Sequence, residues 1–292
     1  MESIKKSIFN LQKSKRLSEL STFGIGGEAK FYLIVHSIEE MQEAFQFAKK
    51  EGLPVFILGK GSNCLFDDRG FDGLVVHNKI DFFEVQGNKI TAGAGYSFSL
   101  LGGKVSKLGL TGLEFAAGIP ASVGGAVYMN AGANDQETKD TLVSVHYLFF
   151  SGEEKHFLRE EIQFSYRISS FQKMNGAILS ATFECKQGEK ARETQLALID
   201  RRKKTQPLQD KSAGCVFRNP VNLSAGYLID ACGLKGYKIG GAEVSPIHAN
   251  FIVNTGNATS KDVLSLIQHI QNTIYAKKEV LLEMEIRYIP YL

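Results

Sequence analysis

Glycine placement constrains this chain more than any other feature. Nineteen of its 29 glycines fall between Gly24 and Gly132, and the other ten are spread from Gly152 to Gly256. Glycine reaches positive φ and lets backbone approach another surface closely. The cluster suits either loops that cradle a ligand or a fold rich in ordinary turns. Two loops stand out. Gly59-Lys60-Gly61-Ser62-Asn63 follows the apolar run 54–58. Successive N–H groups in such a turn form an anion-binding nest, to which Ser62 and Asn63 add polar groups. Gly118-Ile119-Pro120-Ala121-Ser122-Val123-Gly124-Gly125-Ala126 runs into a helix-like segment. A helix N-terminus with unpaired N–H groups attracts a pyrophosphate. Together the two loops suit a dinucleotide cofactor.

Periodicity gives the surrounding elements. Residues 29–35 read as a strand. Ser37 and Glu40 form a capping box ahead of Ile38, Met41, Phe45 and Ala48, an apolar face at helical spacing that Gly52 ends. Strands follow at 54–58 and 74–77, giving a small α/β unit. Short strands at 82–86 and 89–92 precede a helix over 98–108, with Phe98, Leu101, Val105 and Leu108 on one face. Residues 141–150 and 177–185 read as long strands. A charged helix over 189–204 ends in Arg201-Arg202-Lys203-Lys204. That run suits a solvated helix end with favourable C-terminal charge, or a place beside a substrate phosphate. Helices near 224–231, stopped by Gly233, and from Ser260, with Val263, Ile267, Ile270 and Ile274, lead to a last strand over 281–289.

Composition removes several classes. With 292 residues, two or three domains fit, and a 43% hydrophobic share is enough to build cores. A net charge of +3, from 34 basic and 31 acidic residues, lacks the concentrated basic excess of a nucleic-acid binder. No apolar run approaches the roughly 18 residues of a membrane helix. Residues 1–18 are broken by charges and lack a signal-peptide pattern, so a cytoplasmic location is expected. Cys64, Cys185, Cys215 and Cys232 show no zinc or dithiol spacing, so no metal site is expected. Gly59-Lys60-Gly61 is not followed by x-x-Gly, and no P-loop, H-E-x-x-H or G-x-S-x-G occurs. No feature specifies an oligomeric state.

Eight stretches then occur in order across nearly the whole chain. They are Ser21-Thr22-Phe23-Gly24-Ile25-Gly26-Gly27; Gly59 to Asn63; Gly112-Leu113-Glu114-Phe115-Ala116-Ala117-Gly118-Ile119-Pro120; Gly124 to Gly132, ending Asn130-Ala131-Gly132; Phe164-Ser165-Tyr166-Arg167; Ala213-Gly214-Cys215-Val216-Phe217-Arg218-Asn219-Pro220; His248-Ala249-Asn250-Phe251; and Glu285-Ile286-Arg287. Together they resemble the UDP-N-acetylenolpyruvoylglucosamine reductase (MurB) family, in its short type lacking a tyrosine loop. The resemblance implies an α+β fold: an FAD-binding domain of the vanillyl-alcohol-oxidase (PCMH) type plus a C-terminal α/β substrate domain. It implies a first FAD-binding subdomain over 1–78, rejoined by 280–292, a second over 79–207, and a substrate-binding domain over 208–279. FAD is expected to be non-covalent, because 59–63 holds no histidine. NADPH is the implied reductant and a UDP-sugar the implied substrate.

By the same resemblance, Thr22, Gly59, Lys60, Gly61, Ser62, Asn63, Gly118, Ile119, Pro120, Ser122, Val123, Gly124, Gly125, Asn130 and Gly132 hold the cofactor. NADPH reduces the flavin; hydride then passes to the enolpyruvyl methylene carbon, and the adjacent carbon is protonated. Arg167 matches the arginine that stabilises the enolate, for which an always-charged planar fork is suited. Its alternative is a structural ion pair. Glu285 matches the glutamate at the same carboxylate, and must carry or share a proton there, which burial favours. Glu283 alternates with it on one strand face; Glu285 is chosen because it precedes Ile286-Arg287. Cys215 stands where the family usually has a proton-donating serine. A thiol, with pKa roughly 8.5, can serve as that acid; the alternative is a small packing residue. Ala121, Ile247 and Thr205 are further departures that bear on phosphate contacts. Two rivals are a flavin oxidase on the same fold acting on another acid, and a flavin-binding protein without catalysis. Retention of Arg167 and Glu285 opposes the second.

Overall fold

Two units account for residues 11–291, which are the residues described in this computed structural model. Unit 1 holds residues 11–13, Phe31–Lys60 and Gly73–Arg201; unit 2 holds Ser14–Lys30, Gly61–Asp72 and residues 202–291. The first ten residues of the expected 1–78 subdomain lie outside the described residues. The two units divide the chain by packing, which is a different division from the three functional segments expected.

Strand β1 (Glu28–Val35) leads into helix α1 (Ile38–Glu51), which buries Met41, Ala44, Phe45 and Ala48 at helical spacing. Ser37 Oγ accepts the Glu40 N–H, and Gly52 at φ 64° closes the helix. The expected capping box is half present. Glu40 carboxylate accepts the N–H of His36 at 2.6 Å rather than that of Ser37, so the reciprocal bond falls one residue earlier. β2 (Val55–Leu58) and β4 (Gly70–Asn78) pair in parallel, Val55 with Leu74 through Leu58 with His77; β3 (Cys64–Phe66) lies between them in sequence.

The rest of unit 1 is antiparallel. β5 (Phe83–Gln86) and β6 (Lys89–Gly93) form a hairpin, followed by α2 (Phe98–Lys107) and α3 (Val123–Met129). β7 (Leu142–Phe149), β8 (Glu154–Leu158) and β11 (Gly176–Glu184) complete a five-stranded sheet in the order β8-β7-β11-β6-β5. Between β8 and β11 sits the small hairpin β9 (Phe164–Ser165) and β10 (Ile168–Ser169). Phe98, Leu101 and Val105 of α2 and Val123 and Val127 of α3 share one core with Ile90, Val145, Phe171 and Phe183. Leu108, expected on the same face, is 52% exposed. It is the C-cap of α2, where the backbone leaves helical geometry and the side chain leaves the apolar stripe.

α4 (Ala191–Thr205) ends unit 1, and its last turns begin unit 2. There α5 (Ala225–Ala231), capped by Ser224, and the long α6 (Ser260–Lys278) bury Ile229, Val263, Ile267, Ile270 and Ile274. The strands β12 (Ala242–Val244) and β13 (Ile252–Asn254) pair within the same core. The last strand, β14 (Arg287–Ile289), runs parallel to β3, Arg287 opposite Cys64. The expected strand over 281–289 is thus much shorter. Its first part is held by single bridges such as Phe217 with Met284. Among the described residues no helix is long and apolar enough to cross a membrane.

The α2 assignment is open to test. Leu101→Ala, at a fully buried position, should cost about 2–5 kcal/mol. Leu108→Lys should stay within about 0.5 kcal/mol of wild type, both read from urea denaturation.

Candidate active site

Gly59 ends β2 where the backbone runs hard against the start of α3. An ideal Cβ at Gly59 would lie 2.4 Å from Ser122 Oγ, so a side chain there would force the Ser122 hydroxyl to move. Ser122 is buried and caps α3 by accepting the Gly125 N–H at 3.2 Å. Ser97 does the same for α2 and forms a β-bridge with Ser122. Lys60 Nζ donates to Ser97 Oγ at 2.6 Å. Burial, with the charge of Lys79, holds the Lys60 pKa below its usual value. Unit 1 thus brings Gly59, Lys60, Ser122, Gly124 and Gly125 together around two helix starts. A partly desolvated cation with two N–H bonds to spare beside them suits a phosphate. Gly124 is itself locked, its ideal Cβ falling 2.9 Å from Ala94 Cβ.

One expectation changes here. The first N–H groups of α3 are not open: Val123 N–H donates to Tyr96 O and Gly124 N–H to Ala94 O, both at 2.9 Å. The anion-binding capacity of this corner therefore rests on Lys60 and the serine hydroxyls. Gly118, Ile119 and Pro120 close the 3-10 turn before α3, where Ile119 N–H reaches Ala116 O.

Arg167 is held with care. It is the second turn residue of the β9–β10 hairpin and has φ 59°. A non-glycine residue in that region is uncommon and marks strain that its surroundings must hold. Its Nη2 donates to Gly132 O at 2.8 Å, its guanidinium lies 4.7 Å from the Tyr166 ring centre, and its carbonyl accepts Gln172 Nε2 at 3.1 Å. Asn130 anchors the arrangement. It is fully buried, closes α3 at φ 44°, and donates from Nδ2 to Glu137 Oε2 and Ser165 O, both at 3.0 Å. Its Oδ1 accepts the Lys139 N–H at 3.1 Å. Both amide hydrogens are consumed by protein, so Asn130 shapes the Arg167 hairpin.

Unit 2 places Cys215 and Glu285 on neighbouring extended segments. Cys215 forms a β-bridge with Phe251; Val216 N–H donates to Asn250 O at 2.8 Å and Val216 O accepts the Glu285 N–H at 2.7 Å. Buried Asn250 also clamps Phe217 on both sides, through Oδ1 at 3.0 Å and Nδ2 at 2.8 Å. Glu285 is partly buried, whereas the Glu283 side chain is 76% exposed and pairs with Arg218. Asn63 Nδ2 donates to Glu285 O at 3.2 Å and Asn63 O accepts Arg287 N–H at 2.9 Å, so this loop residue is also a brace. Gly61, at φ 63° with Leu20 O only 2.1 Å from an ideal Cβ, is fixed by Thr22, whose N–H reaches Gly61 O and whose hydroxyl donates to Ser212 O at 2.7 Å. Ser62 is half-buried beside them.

The basic end of α4 is not uniformly solvated. Arg201, Lys203 and Lys204 are exposed, but Arg202 turns inward, bound through Nε and Nη2 to Gln206 Oε1. Burial lowers its pKa, and the Cys215 side chain works against that shift. Another feature had no sequence signal. Tyr32 and His77, on β1 and β4, join at 2.8 Å through Nδ1, and burial, aided by Lys79, pulls His77 down to about 4. A groove of about 700 Å³ in unit 2, lined by Asp67, Asp68, Arg69, Ser260 and Tyr288, contains none of the expected residues. Asp67 there is bound by Arg69 and Tyr288, and Asp68 caps α6.

These features define an FAD-binding protein. The FAD binding domain model matches residues 29–157, and the C-terminal domain model of UDP-N-acetylenolpyruvoylglucosamine reductase matches residues 206–289. The chain belongs to the UDP-N-acetylenolpyruvoylglucosamine reductase family. It is 56% identical to the reductase of Protochlamydia amoebophila over 94% of this chain and 92% of that one. It is 48% identical to that of Chlamydia trachomatis over 97% of each. Its structure matches the crystal structure of the Thermus caldophilus reductase with a TM-score of 0.83 at 36% identity, covering 96% of this chain and all of that one.

Asn130→Ala should cost about 2–4 kcal/mol, from three lost hydrogen bonds and an alanine at positive φ. Urea denaturation measures it, and the hairpin dependence predicts that substrate reduction falls along with stability.

Proposed function

We propose that this chain reduces the enolpyruvyl group of UDP-N-acetylglucosamine enolpyruvate to UDP-N-acetylmuramate with NADPH, as an FAD-containing oxidoreductase of peptidoglycan precursor synthesis. The cytoplasm is the location this role requires. The observation that supports the assignment of roles is the pair of hydrogen bonds joining Val216 to Asn250 and Glu285, which sets the segments of Cys215 and Glu285 side by side. FAD, when bound, would supply the hydride chemistry of this reduction, with NADPH as the reductant. Lys60 and the Ser97 and Ser122 hydroxyls would hold the FAD pyrophosphate, and Gly59, Gly61, Ser62, Gly118 to Pro120 and Gly125 would shape the backbone of the loops. The three segments 1–78 with 280–292, 79–207 and 208–279 divide these roles between cofactor and substrate.

The protein must then handle one charge and one proton. Arg167 is fixed by Gly132, Tyr166 and Gln172, so its guanidinium is preorganised for the developing enolate and needs no reorganisation during reaction. Glu285 adds a hydrogen bond to the same anion, provided that it carries a proton. Cys215 Sγ–H gives its proton to the carbon next to the carboxylate, and the thiolate left behind is stabilised by Arg202. One hydride and one proton balance the reduction of the double bond.

Anaerobic mixing of NADPH-reduced protein with the enolpyruvyl sugar separates these roles. Arg167→Ala and Glu285→Gln should suppress flavin reoxidation by substrate about 100-fold or more, while NADPH still reduces the flavin. Equal losses in both steps would contradict the roles given.

Cys215→Ser should remain active and lose the alkaline fall in rate, because an alcohol does not ionise in the accessible range. Cys215→Ala should slow substrate reduction by about 100-fold. A near-normal Cys215→Ala enzyme would reduce Cys215 to a packing residue.

A further inference from the structure

His77 has no place in the chemistry above, yet its half-buried ring lies beside the strand that leads into the phosphate corner of unit 1, with Nε2 shielded from solvent. It stands opposite Leu58 in the parallel ladder, so it adjoins the residue that enters Gly59. Its Nδ1 meets the Tyr32 hydroxyl at 2.8 Å. Its Nε2 is buried without a hydrogen-bond partner among the described residues, and the Gly59 backbone, one residue beyond Leu58, is near enough to act on the ring. A buried donor left without an acceptor is costly. The surroundings choose the tautomer. If Nδ1 carried the proton, the Nε2 lone pair would face a carbonyl oxygen, and the tyrosine hydrogen would lose its acceptor. With Tyr32 O–H donating to Nδ1, Nε2 carries the proton and faces that carbonyl attractively.

The consequence runs through one planar peptide. In a trans peptide the C=O of Gly59 and the N–H of Lys60 point in opposite directions. A hydrogen bond drawn to the Gly59 carbonyl from behind turns the Lys60 N–H forward, to the side from which an anion approaches. Gly59 has no side chain to resist the rotation, and a Cβ there would displace the Ser122 hydroxyl. We propose that the Tyr32–His77 pair is a positioning device for the cofactor loop: His77 Nε2–H closes onto the Gly59 carbonyl and thereby aims the Lys60 N–H at the FAD pyrophosphate. The proposal rests on the reading of Gly59 and Lys60 as phosphate-holding residues. His77 itself touches no cofactor; it acts through the peptide.

Apoprotein titrated with FAD, followed by flavin fluorescence, tests this, with urea denaturation of each apo variant as the check on folding. His77→Phe and His77→Asn lack a donor at the Nε2 position and should weaken FAD about tenfold, one hydrogen bond to the loop. His77→Gln carries an amide N–H to nearly that position and should stay within about threefold of wild type. Tyr32→Phe frees the tautomer and should weaken FAD about threefold, and it keeps the test open if the His77 variants unfold. A packing role would give the reverse order, with Phe tolerated best because it is closest in shape. That order, or FAD affinities that match wild type in His77→Phe and Tyr32→Phe, overturns the proposal. Wild-type protein whose FAD affinity is unchanged by Lys60→Met would instead overturn the phosphate reading of the loop.

Discussion

The approach of Gly59 to Ser122 is the constraint on which the cofactor corner depends. It sets the end of a parallel strand against the first turn of α3, so close that a Cβ at 59 would displace the Ser122 hydroxyl from its capping position. Lys60, Ser97 and Ser122 then fall into one place because each is the next residue along, or the cap of an adjoining helix. A larger residue at 59 would push the loop away from both helix starts. The remaining features of the corner, including the desolvated lysine and the Tyr32–His77 pair behind it, have meaning only while that contact stands.

A second theme is the use of buried amides as braces. Asn130, Asn250 and Asn63 each spend their side-chain groups on backbone in irregular segments, where no ladder supplies partners. Loops that carry reactive groups have unsatisfied carbonyls and N–H groups, and burying those without partners is costly. An asparagine offers two donors and an acceptor in one plane, so one residue can lock two strands of a turn. Of the residues proposed to react, Arg167 and Cys215 each lie two residues from a group that such a brace holds, and Glu285 is held by one directly. Rigidity at the site is thus local, built beside each group.

Much of this was legible in the sequence, and the failures share a cause. α1, α2 and α6 follow from apolar spacing, and the glycine loops and the eight ordered stretches point to the family. What escaped was the destination of polar groups. Asn130 and Asn63 read as cofactor contacts because their motifs sit in cofactor loops, but hydrogen bonds to Ser165 and Glu285 come from residues 35 and 222 positions away. Arg202 read as one member of a solvated basic run, since nothing local shows that one side chain in four turns inward. The capped N–H groups of Val123 and Gly124 were hidden likewise, by carbonyls of Tyr96 and Ala94. Periodicity reports burial of apolar faces; it carries no information on distant polar partners.

The parallel pairing of Arg287 with Cys64 has a further implication for how this protein comes into being. Unit 2 is stitched from three separated stretches of chain, the last of them near the C-terminal end. During synthesis, Asn63 leaves the ribosome long before Glu285 exists, and must wait with its amide group uncommitted. Contacts so distant in sequence make folding slow, because chain closure comes before any compensating contact. Most of unit 1, in contrast, has already emerged and can mature during elongation. The segment that carries Glu285 is therefore made long after its partner Asn63, and most of unit 1 can mature before that contact closes.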